Sequence, residues 1–357
     1  MKRWLAILAV VCLVLLAAGG GLAYWGWQLL HTPFGPTRSG PTAAENSDAG
    51  VLLEVRPGQG AGQILDLLAE HQLIPHALLA RLYLVYLLDN PPLQAGEYLF
   101  ESPATTPERL AKLIGGDVVL HPVTVVEGQT LEETAATLAA AGLGSETAFL
   151  SAMRSPLAIA DLDPEAETLE GYLFPDTYSF PRATAEAEIV ATMVATFRSK
   201  LEQAVAEPPE TSVTSVRDLV SLASIVEKEA QLDDERPVIA AVYRNRLDRG
   251  IGLYADPTII FALKQLGSWD GDIRRRDLEL DSPYNTYRYP GLPPGPICSP
   301  GLASLRAAAQ PASVPYLYFV SRNDGSHVFA KTLREHNHNV DVWQRRYWRD
   351  RRKKGAQ

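Results

Sequence analysis

The N-terminal segment constrains this chain more than any other, because no charged residue occurs between Trp4 and Leu30. A helix of that length rises roughly 40 Å, which exceeds the hydrocarbon thickness of a membrane, about 30 Å. Tyr24, Trp25 and Trp27 near its end suit the aromatic belt of a membrane interface. The segment therefore predicts an uncleaved single-pass membrane helix.

The charges around this helix predict its orientation. Lys2 and Arg3 precede it, and no comparable basic cluster follows it directly. Because positive residues stay on the cytoplasmic side, we expect the N-terminus in the cytoplasm and the chain after about residue 31 outside. The alternative is a cleaved signal peptide, since the small residues 17–21 imitate a cleavage site. The predicted location is the cytoplasmic membrane, with an extracytoplasmic body.

The composition is that of a globular protein, with 46% hydrophobic and 21% charged residues among 357. A net charge of −9 argues against nucleic acid as the main ligand, because phosphate binding needs a basic surface. The two cysteines, Cys12 and Cys298, are too few for a disulfide framework or a thiolate metal site. The sequence contains no Walker, HExxH or GxSxG motif, so we expect no cofactor and no metal.

The elements alternate in a way that predicts an α+β fold. A strand–turn–helix pattern beginning at Val55 recurs 70 residues later at Val125, with Gly58 and Gly128 at equivalent positions. The last hydrophobic runs, 316–320 and 327–330, flank Asn-Asp-Gly and predict a β-hairpin. We expect the following organisation: membrane anchor 1–31, flexible linker 32–50, small α+β domain 51–118, helix-rich domain 119–345 with the hairpin near its end, and basic tail 346–357. The basic charge of the tail predicts either a solvated helix end or a patch that binds lipid or a polymer.

The segment LVSLASIVEKEA, residues 219–230, carries the first candidate catalytic groups. On a helix its apolar residues form a stripe, with Arg217, Ser221 and Ser224 on the opposite side. Glu227 and Glu229 lie at the edges of this stripe, and apolar surroundings would keep a carboxyl protonated for general-acid work. Helix geometry does not choose between the two. An ordinary ion pair with an arginine such as 244 or 246 is the alternative.

The loop of residues 281–301 is the second informative stretch. Its prolines and glycines predict an extended loop, and Tyr284, Asn285, Thr286 and Tyr287 combine flat apolar faces with amide and hydroxyl groups. This mixture suits a sugar, which offers C–H patches and hydroxyls but little charge. The alternative is a proline-rich surface loop without a ligand.

These motifs resemble the YceG-like family of murein transglycosylases. The resemblance covers about residues 120–345, and its motifs stand in the order EGYLFPDTY (170–178), LASIVEKE (222–229), NRL (245–247), DPT (256–258), YNTY (284–287) and GLPPGPI (291–297). It implies a LysM-like domain over 51–118 and a YceG-like catalytic domain over 119–345. It assigns the catalytic acid to the first glutamate of the EKE triplet, Glu227.

The resemblance also implies a reaction: non-hydrolytic cleavage of the MurNAc–GlcNAc bond within nascent peptidoglycan strands, leaving 1,6-anhydro-MurNAc ends. Such a reaction can proceed with one carboxylate, because the 6-hydroxyl of the sugar itself attacks the anomeric carbon. We expect Asp256, Glu229 and the loop residues Tyr284, Asn285, Thr286 and Tyr287 to bind the substrate. The implied partners are glycan strands, the membrane and the penicillin-binding synthases.

Two other classes of function fit the same sequence. A non-catalytic glycan-binding scaffold of the cell-wall machinery would use the repeats and the tyrosine-rich loop but not Glu227. A muramidase-type hydrolase would need a second carboxylate, for which Asp256 and Glu229 are the candidates.

Overall fold

The computed structural model describes residues 2–35, 50–205 and 215–354, which form a mixed helix and sheet structure. The helices are α1 (Lys2–His31), α2 (Ala61–Glu70), α3 (Ala77–Tyr86), α4 (Thr106–Gly115), α5 (Leu131–Ala140), α6 (Glu146–Met153), α7 (Glu186–Ala204), α8 (Val216–Glu229), α9 (Arg236–Leu247), α10 (Asp256–Gln265), α11 (Leu302–Ala309), α12 (Leu333–Val340) and α13 (Tyr347–Lys354). The strands are β1 (Val51–Val55), β2 (Gly96–Phe100), β3 (Leu120–Thr124), β4 (Thr177–Pro181), β5 (Tyr318–Ser321) and β6 (His327–Ala330). They form two-stranded sheets, β1 with β2, β3 with β4, and β5 with β6.

The chain divides into two compact units, the first comprising residues 1–121 with 181–183 and the second the remainder. In the first unit, β1 and β2 pair antiparallel with Val51 opposite Phe100, and α2 packs its buried Ile64, Leu65 and Leu68 into the core. Helix α4 begins at a capping box of Thr105 and Glu108. The LysM-like character of the domain at residues 51–118 stays a prediction.

Helix α1 is long and apolar enough to cross a membrane, and among the described helices no other passes that test. Its length and its place near the N-terminus agree with the predicted anchor. Most of the predicted linker, residues 36–49, lies outside the described residues. At the other end, α13 covers part of the basic tail, and residues 355–357 lie outside the described residues.

The predicted repeat is confirmed. Helices α2 and α5 are offset by the same 70 residues as the sequence pattern, and each follows a strand and a glycine turn. Gly58 and Gly128 both adopt left-handed backbone angles, with φ of 86° and 80°, which favour glycine because a Cβ is strained there. The two copies belong to different units.

The second unit is built around α8, which packs against α9, α10 and α11. The prediction that Ser221 and Ser224 lie on a polar side of α8, opposite its apolar stripe, is wrong, because both residues are fully buried. Serine is small enough to let a loop approach closely, and Ser224 Oγ accepts a hydrogen bond from the backbone N–H of Ile297 at 3.1 Å. Helix α8 is therefore buried around most of its circumference, and its two glutamates lie at its C-terminal end.

The C-terminal hairpin is confirmed, with Ser321 opposite His327 in the register of β5 and β6. Its first strand begins at Tyr318, two residues later than predicted. The difference has a physical cause, because the amide of Asn245 donates to the carbonyl oxygens of Val314 and Tyr316 and holds that stretch against α9.

Candidate active site

The end of α8 carries the two candidate carboxylates in different surroundings. Ser215 caps the start of the helix by accepting from the backbone N–H of Asp218, and the helix ends at Glu229. Because neighbouring residues i and i+2 on a helix diverge by roughly 200°, Glu227 and Glu229 cannot share one environment. The partners of each side chain therefore decide which chemistry it supports.

Glu229 contacts α9 through one hydrogen bond, donated by the hydroxyl of Tyr243 to Oε1 at 2.9 Å. Burial of the carboxyl and, to a smaller extent, the negative charge of Asp256 raise the pKa of Glu229 to about 7, against the opposing effects of Tyr243 and Arg246. The residue is still partly exposed. A carboxyl with this pKa exists in both protonation states near neutral pH, as a group that first donates and then accepts a proton requires.

Asp256, the first residue of α10, is exposed and is close enough for its charge to act on Glu229. Its Oδ1 accepts a hydrogen bond from the hydroxyl of Tyr287 at 2.7 Å. The ring of Tyr254 lies 5.3 Å from that of Tyr287 and is half exposed. Tyr254 has a φ of 48°, an unfavourable backbone angle for a bulky residue. The two rings thus offer an aromatic surface beside Glu229 and Asp256.

Arg246 on α9 supplies positive charge to the same place. Its guanidinium donates to the carbonyl oxygens of Leu317 and Leu253, both at 2.6 Å, and lies near the rings of Tyr254 and Tyr318. Since both partners are neutral carbonyls, its charge is not cancelled by a salt bridge. We refer to Glu229, Tyr243, Arg246, Tyr254, Asp256 and Tyr287 as the Glu229 cluster.

Glu227 is bound on both oxygens by groups of the protein itself. Oε1 lies 3.1 Å from a guanidinium nitrogen of Arg236, and Oε2 accepts the backbone N–H of Gly301 at 2.9 Å. The side chains of Glu227 and Arg236 are 6% and 9% exposed, so this ion pair is buried. Both partners only donate, so both oxygens of Glu227 act as hydrogen-bond acceptors within the protein. The predicted alternative of an ion pair thus applies to Glu227, with Arg236 in place of arginines 244 and 246.

A surface groove of about 550 Å³ lies beside Glu227 and is lined by residues 124–127, 175–177 and Glu227. Glu127 stands in this groove, and the partial burial of its carboxyl together with the negative charge of Glu227 raises the pKa of Glu127. The groove therefore pairs two carboxyl groups, of which Glu227 is committed to Arg236 and Gly301.

The tyrosine-rich loop is divided between the interior and the site. Asn285 and Thr286 are 0% and 2% exposed. The amide of Asn285 donates to the carbonyl oxygens of Leu278 and Leu280, at 3.1 and 2.8 Å, and Thr286 Oγ1 accepts from the backbone N–H of Ala255 at 3.0 Å. These contacts correct the expectation that both side chains touch a sugar, because their polar atoms already bind the protein.

Tyr284 faces another cavity. Its ring packs against Phe261 at 4.9 Å between centroids, and both line a partly open cavity of about 260 Å³ together with Glu170 and Arg217. Of the predicted substrate-binding residues, the structure therefore brings together Glu229, Asp256 and Tyr287. In the described parts of the chain, no group of three or more His, Cys, Asp or Glu side chains is arranged to hold a metal ion.

Comparison with protein families matches residues 53–342 to the YceG-like family. The chain belongs to the YceG-like family. Its relatives include a Bacillus subtilis protein named endolytic murein transglycosylase, which is 32% identical over 310 residues, 82% of this chain and 84% of that protein. A protein of the same name from Streptococcus pneumoniae serotype 2 is 30% identical over 93% of this chain. The chain spans 63% of the length of that pneumococcal relative.

A solved structure agrees with the family assignment. The crystal structure of a YceG-like protein from Listeria monocytogenes is 33% identical and has a TM-score of 0.53, covering 82% of this chain and 99% of that one. The two proteins therefore share a similar fold over most of this YceG-like chain.

Sequence reasoning missed three members of the Glu229 cluster as site residues. Tyr243 and Tyr254 were not singled out, and Arg246 was considered only as an ion-pair partner. Arg246 belongs to the NRL motif, and Tyr254 lies two residues before the first residue of DPT, so both are in or beside family motifs. Arg236 and Glu127 carried no such signal, because nothing local in the sequence shows that they meet near Glu227.

Proposed function

We propose that this YceG-like chain is a peptidoglycan lytic transglycosylase that cleaves the MurNAc–GlcNAc bond within nascent glycan strands and leaves 1,6-anhydro-MurNAc ends. The names of the relatives from Bacillus subtilis and Streptococcus pneumoniae support the activity. The observation that carries the proposal is the position of Glu229, a carboxyl with a pKa of about 7 beside an exposed aspartate and an aromatic surface.

Glu229 is the proposed catalytic residue, rather than Glu227, to which the resemblance assigns the role. In its protonated form Glu229 gives its proton to the glycosidic oxygen as the bond between that oxygen and the anomeric carbon breaks. The 6-hydroxyl of the same MurNAc then attacks the anomeric carbon and passes its proton to the Glu229 carboxylate. The glutamate is regenerated in its acid form, and no water enters the product.

The other members of the Glu229 cluster support this reaction. The hydroxyl of Tyr243 holds one oxygen of Glu229, which fixes the direction from which the other reaches substrate. Asp256 places negative charge near the anomeric carbon, where positive charge develops as the bond breaks. Tyr254 and Tyr287 offer ring faces to the C–H patches of the sugars. Asn285 and Thr286 do not contact substrate but hold the tyrosine-rich loop in place through their hydrogen bonds to backbone groups.

The location follows from the same proposal. Helix α1 anchors the protein in the cytoplasmic membrane, and the N-terminus lies in the cytoplasm. The rest of the first unit and the whole second unit lie outside, where nascent strands are made. The first unit acts as a LysM-like glycan-binding module, and the enzyme works beside the penicillin-binding synthases. The apolar α1 supports the anchor, and the rest of this arrangement extends the family resemblance.

The products of the reaction test the proposal directly. Purified peptidoglycan treated with the full chain should give fragments ending in 1,6-anhydro-MurNAc, detected by mass spectrometry as ends lighter by one water, about 18 Da by formula mass. Reducing MurNAc ends would instead establish a muramidase-type hydrolase, the candidate that the closeness of Asp256 to Glu229 favours. Binding without any cleavage would establish the scaffold.

A matched pair of variants tests the choice of carboxylate. Glu229→Gln should fold normally and lose about 10²-fold or more of its activity, because the amide still accepts from Tyr243 but has no proton to give. Glu227→Gln should lose about 1–3 kcal/mol of stability, because it leaves the buried Arg236 with only the exposed carboxylate of Asp233 as its counter-charge. An inactive Glu227→Gln with an unchanged melting temperature, beside an active Glu229→Gln, would restore the assignment to Glu227.

A further inference from the structure

Helix α3 exposes an unusual number of large apolar side chains for a helix of ten residues. Leu78, Leu82, Val85 and Tyr86, with Leu87 just after the helix, are each between 39% and 79% exposed. A water-soluble helix of this length normally turns such residues inward and shows polar ones outward. Its opposite side is already used, because Ala80 and Leu84 are fully buried in the core of the first unit.

The exposed face adjoins the side of α3 that contacts α1. The rings of Trp27 and His31 on α1 lie 6.2 and 5.7 Å from the ring of Tyr83. At roughly 100° per residue, Tyr83 and Leu79 point to one side of α3, and the exposed stripe of residues 78, 82, 85 and 86 begins at its edge. The apolar surface of α3 is therefore continuous with that of α1, with no polar strip between them.

The contact lies at the end of α1 that would leave the membrane. About 20 residues of helix cross a bilayer core, and counted from Arg3 they end close to Tyr24 and Trp25. The residues that touch α3, Trp27 and His31, follow immediately. Helix α3 is thus held at the depth of the headgroups, where an apolar face meets acyl chains and not water.

We propose that the face of α3 formed by Leu78, Leu82, Val85 and Tyr86 lies in the outer leaflet of the same membrane that α1 crosses. The proposal rests on the membrane anchor of the proposed function. On this proposal, the part of the first unit that follows α1 rests on the bilayer surface and is not tethered above it. The exposed Arg81, on the far edge of the stripe, is placed to reach lipid phosphates.

Chemistry argues against two other occupants of this face. A glycan strand needs hydrogen-bonding partners along its hydroxyls, and within the stripe only Tyr86 offers a polar group. A second copy of this chain is anchored by its own α1, so it would have to reach this face at the membrane surface, where lipid already competes for it. Lipid needs neither a complementary shape nor a hydrogen bond, and insertion depends on the apolar area removed from water.

The experiment places an environment-sensitive NBD fluorophore at single cysteines of the full chain in phosphatidylcholine–phosphatidylglycerol vesicles containing spin-labelled quencher lipids. Cys298 is buried, so we expect the fluorophore to label Cys12 within α1, which then reports on the anchor in the natural sequence. In a Cys12→Ser background, Leu82→Cys reports on the face of α3. Glu54→Cys, on an exposed polar position of β1, is the control.

The expected result is quenching of the Leu82→Cys probe by lipids labelled near the headgroup, quenching of the Cys12 probe by lipids labelled deep in the chain, and no quenching at position 54. If the Cys12 probe is quenched but the Leu82→Cys probe is not, the seat on the membrane is wrong and the anchor stands. If neither is quenched, the anchor itself fails, and this inference fails with it. Energy transfer between donor- and acceptor-labelled chains at position 82, without lipid quenching, would show that a second copy covers the face.

Discussion

The carboxyl of Glu229 determines how the activity should depend on pH. Its pKa of about 7 arises from burial and the charge of Asp256, and the proposed first step uses the protonated form. Activity, measured as kcat/KM on purified glycan strands, should therefore fall as the pH rises through about 7. Tyr243→Phe removes a hydrogen bond that lowers the pKa of Glu229, so the fall should move to higher pH. A fall at the same pH in both proteins would show that another group controls it.

Two neighbouring loop residues should respond differently to substitution. Asn285→Ala removes two hydrogen bonds to partly buried backbone carbonyls and should cost about 1–3 kcal/mol of stability. Tyr287→Phe removes only the hydroxyl that holds Asp256, so the melting temperature should change little while activity falls roughly tenfold. Thermal melting and initial rates measured on the same preparations separate the two effects. Equal losses of stability would mean that Tyr287 also braces the loop.

At the scale of residues, the sequence predicted the site in part. It placed Glu229, Asp256 and Tyr287 among the candidates because their chemistry and the family motifs coincide. It did not distinguish Asn285 from Tyr287, because an amide in a proline-rich loop serves equally well to bind a sugar or to hold the loop together. Partners distant in sequence decide between those roles, as the carbonyls of Leu278 and Leu280 do here.

Helix α8 allows a matched test at the scale of elements. Ser221 and Ser224 are both fully buried on it, but their hydroxyls differ. Ser224 Oγ accepts from the backbone N–H of Ile297, whereas Ser221 Oγ has no hydrogen-bond partner in the described structure. Ser224→Ala should cost about 1–3 kcal/mol by leaving that N–H unpaired, and Ser221→Ala should be neutral or stabilising. Chemical denaturation of both variants measures the difference, and similar losses would contradict it.

The elements themselves were largely predictable. The C-terminal hairpin and the offset of α2 and α5 agree with the sequence patterns, since hydrophobic runs, helical periodicity and glycine turns are local signals. The interior of α8 was not predictable, because a buried serine and a solvated serine look alike until the loop that covers them is known. The predicted start of β5 was wrong for the same reason, because the amide of Asn245 on α9 donates a hydrogen bond to the carbonyl oxygen of Tyr316.

The stability of the second unit should depend on Glu170, a carboxyl outside the Glu229 cluster. Glu170 is buried, and Oε2 accepts the backbone N–H of Leu131 at 3.1 Å at the start of α5. Its other oxygen is buried and has no hydrogen-bond partner in the described structure. Burial raises the pKa of Glu170 to about 8, so the folded protein holds this group as a neutral acid at neutral pH.

This raised pKa links proton binding to folding. Below about pH 4.5 the group is protonated in both states and costs nothing, whereas between about 4.5 and 8 only the unfolded chain gives up the proton. Stability should therefore fall by roughly 1.4 kcal/mol per pH unit in that window and level off above it. Glu170→Gln cannot ionise and still accepts from Leu131, so its melting temperature should decline less between about pH 5 and pH 8. Glu229→Gln should remove a smaller part of the decline, because the pKa of Glu229 is raised only to about 7. Parallel melting curves for the natural protein and Glu170→Gln would mean that the Glu170 carboxyl ionises equally in both states.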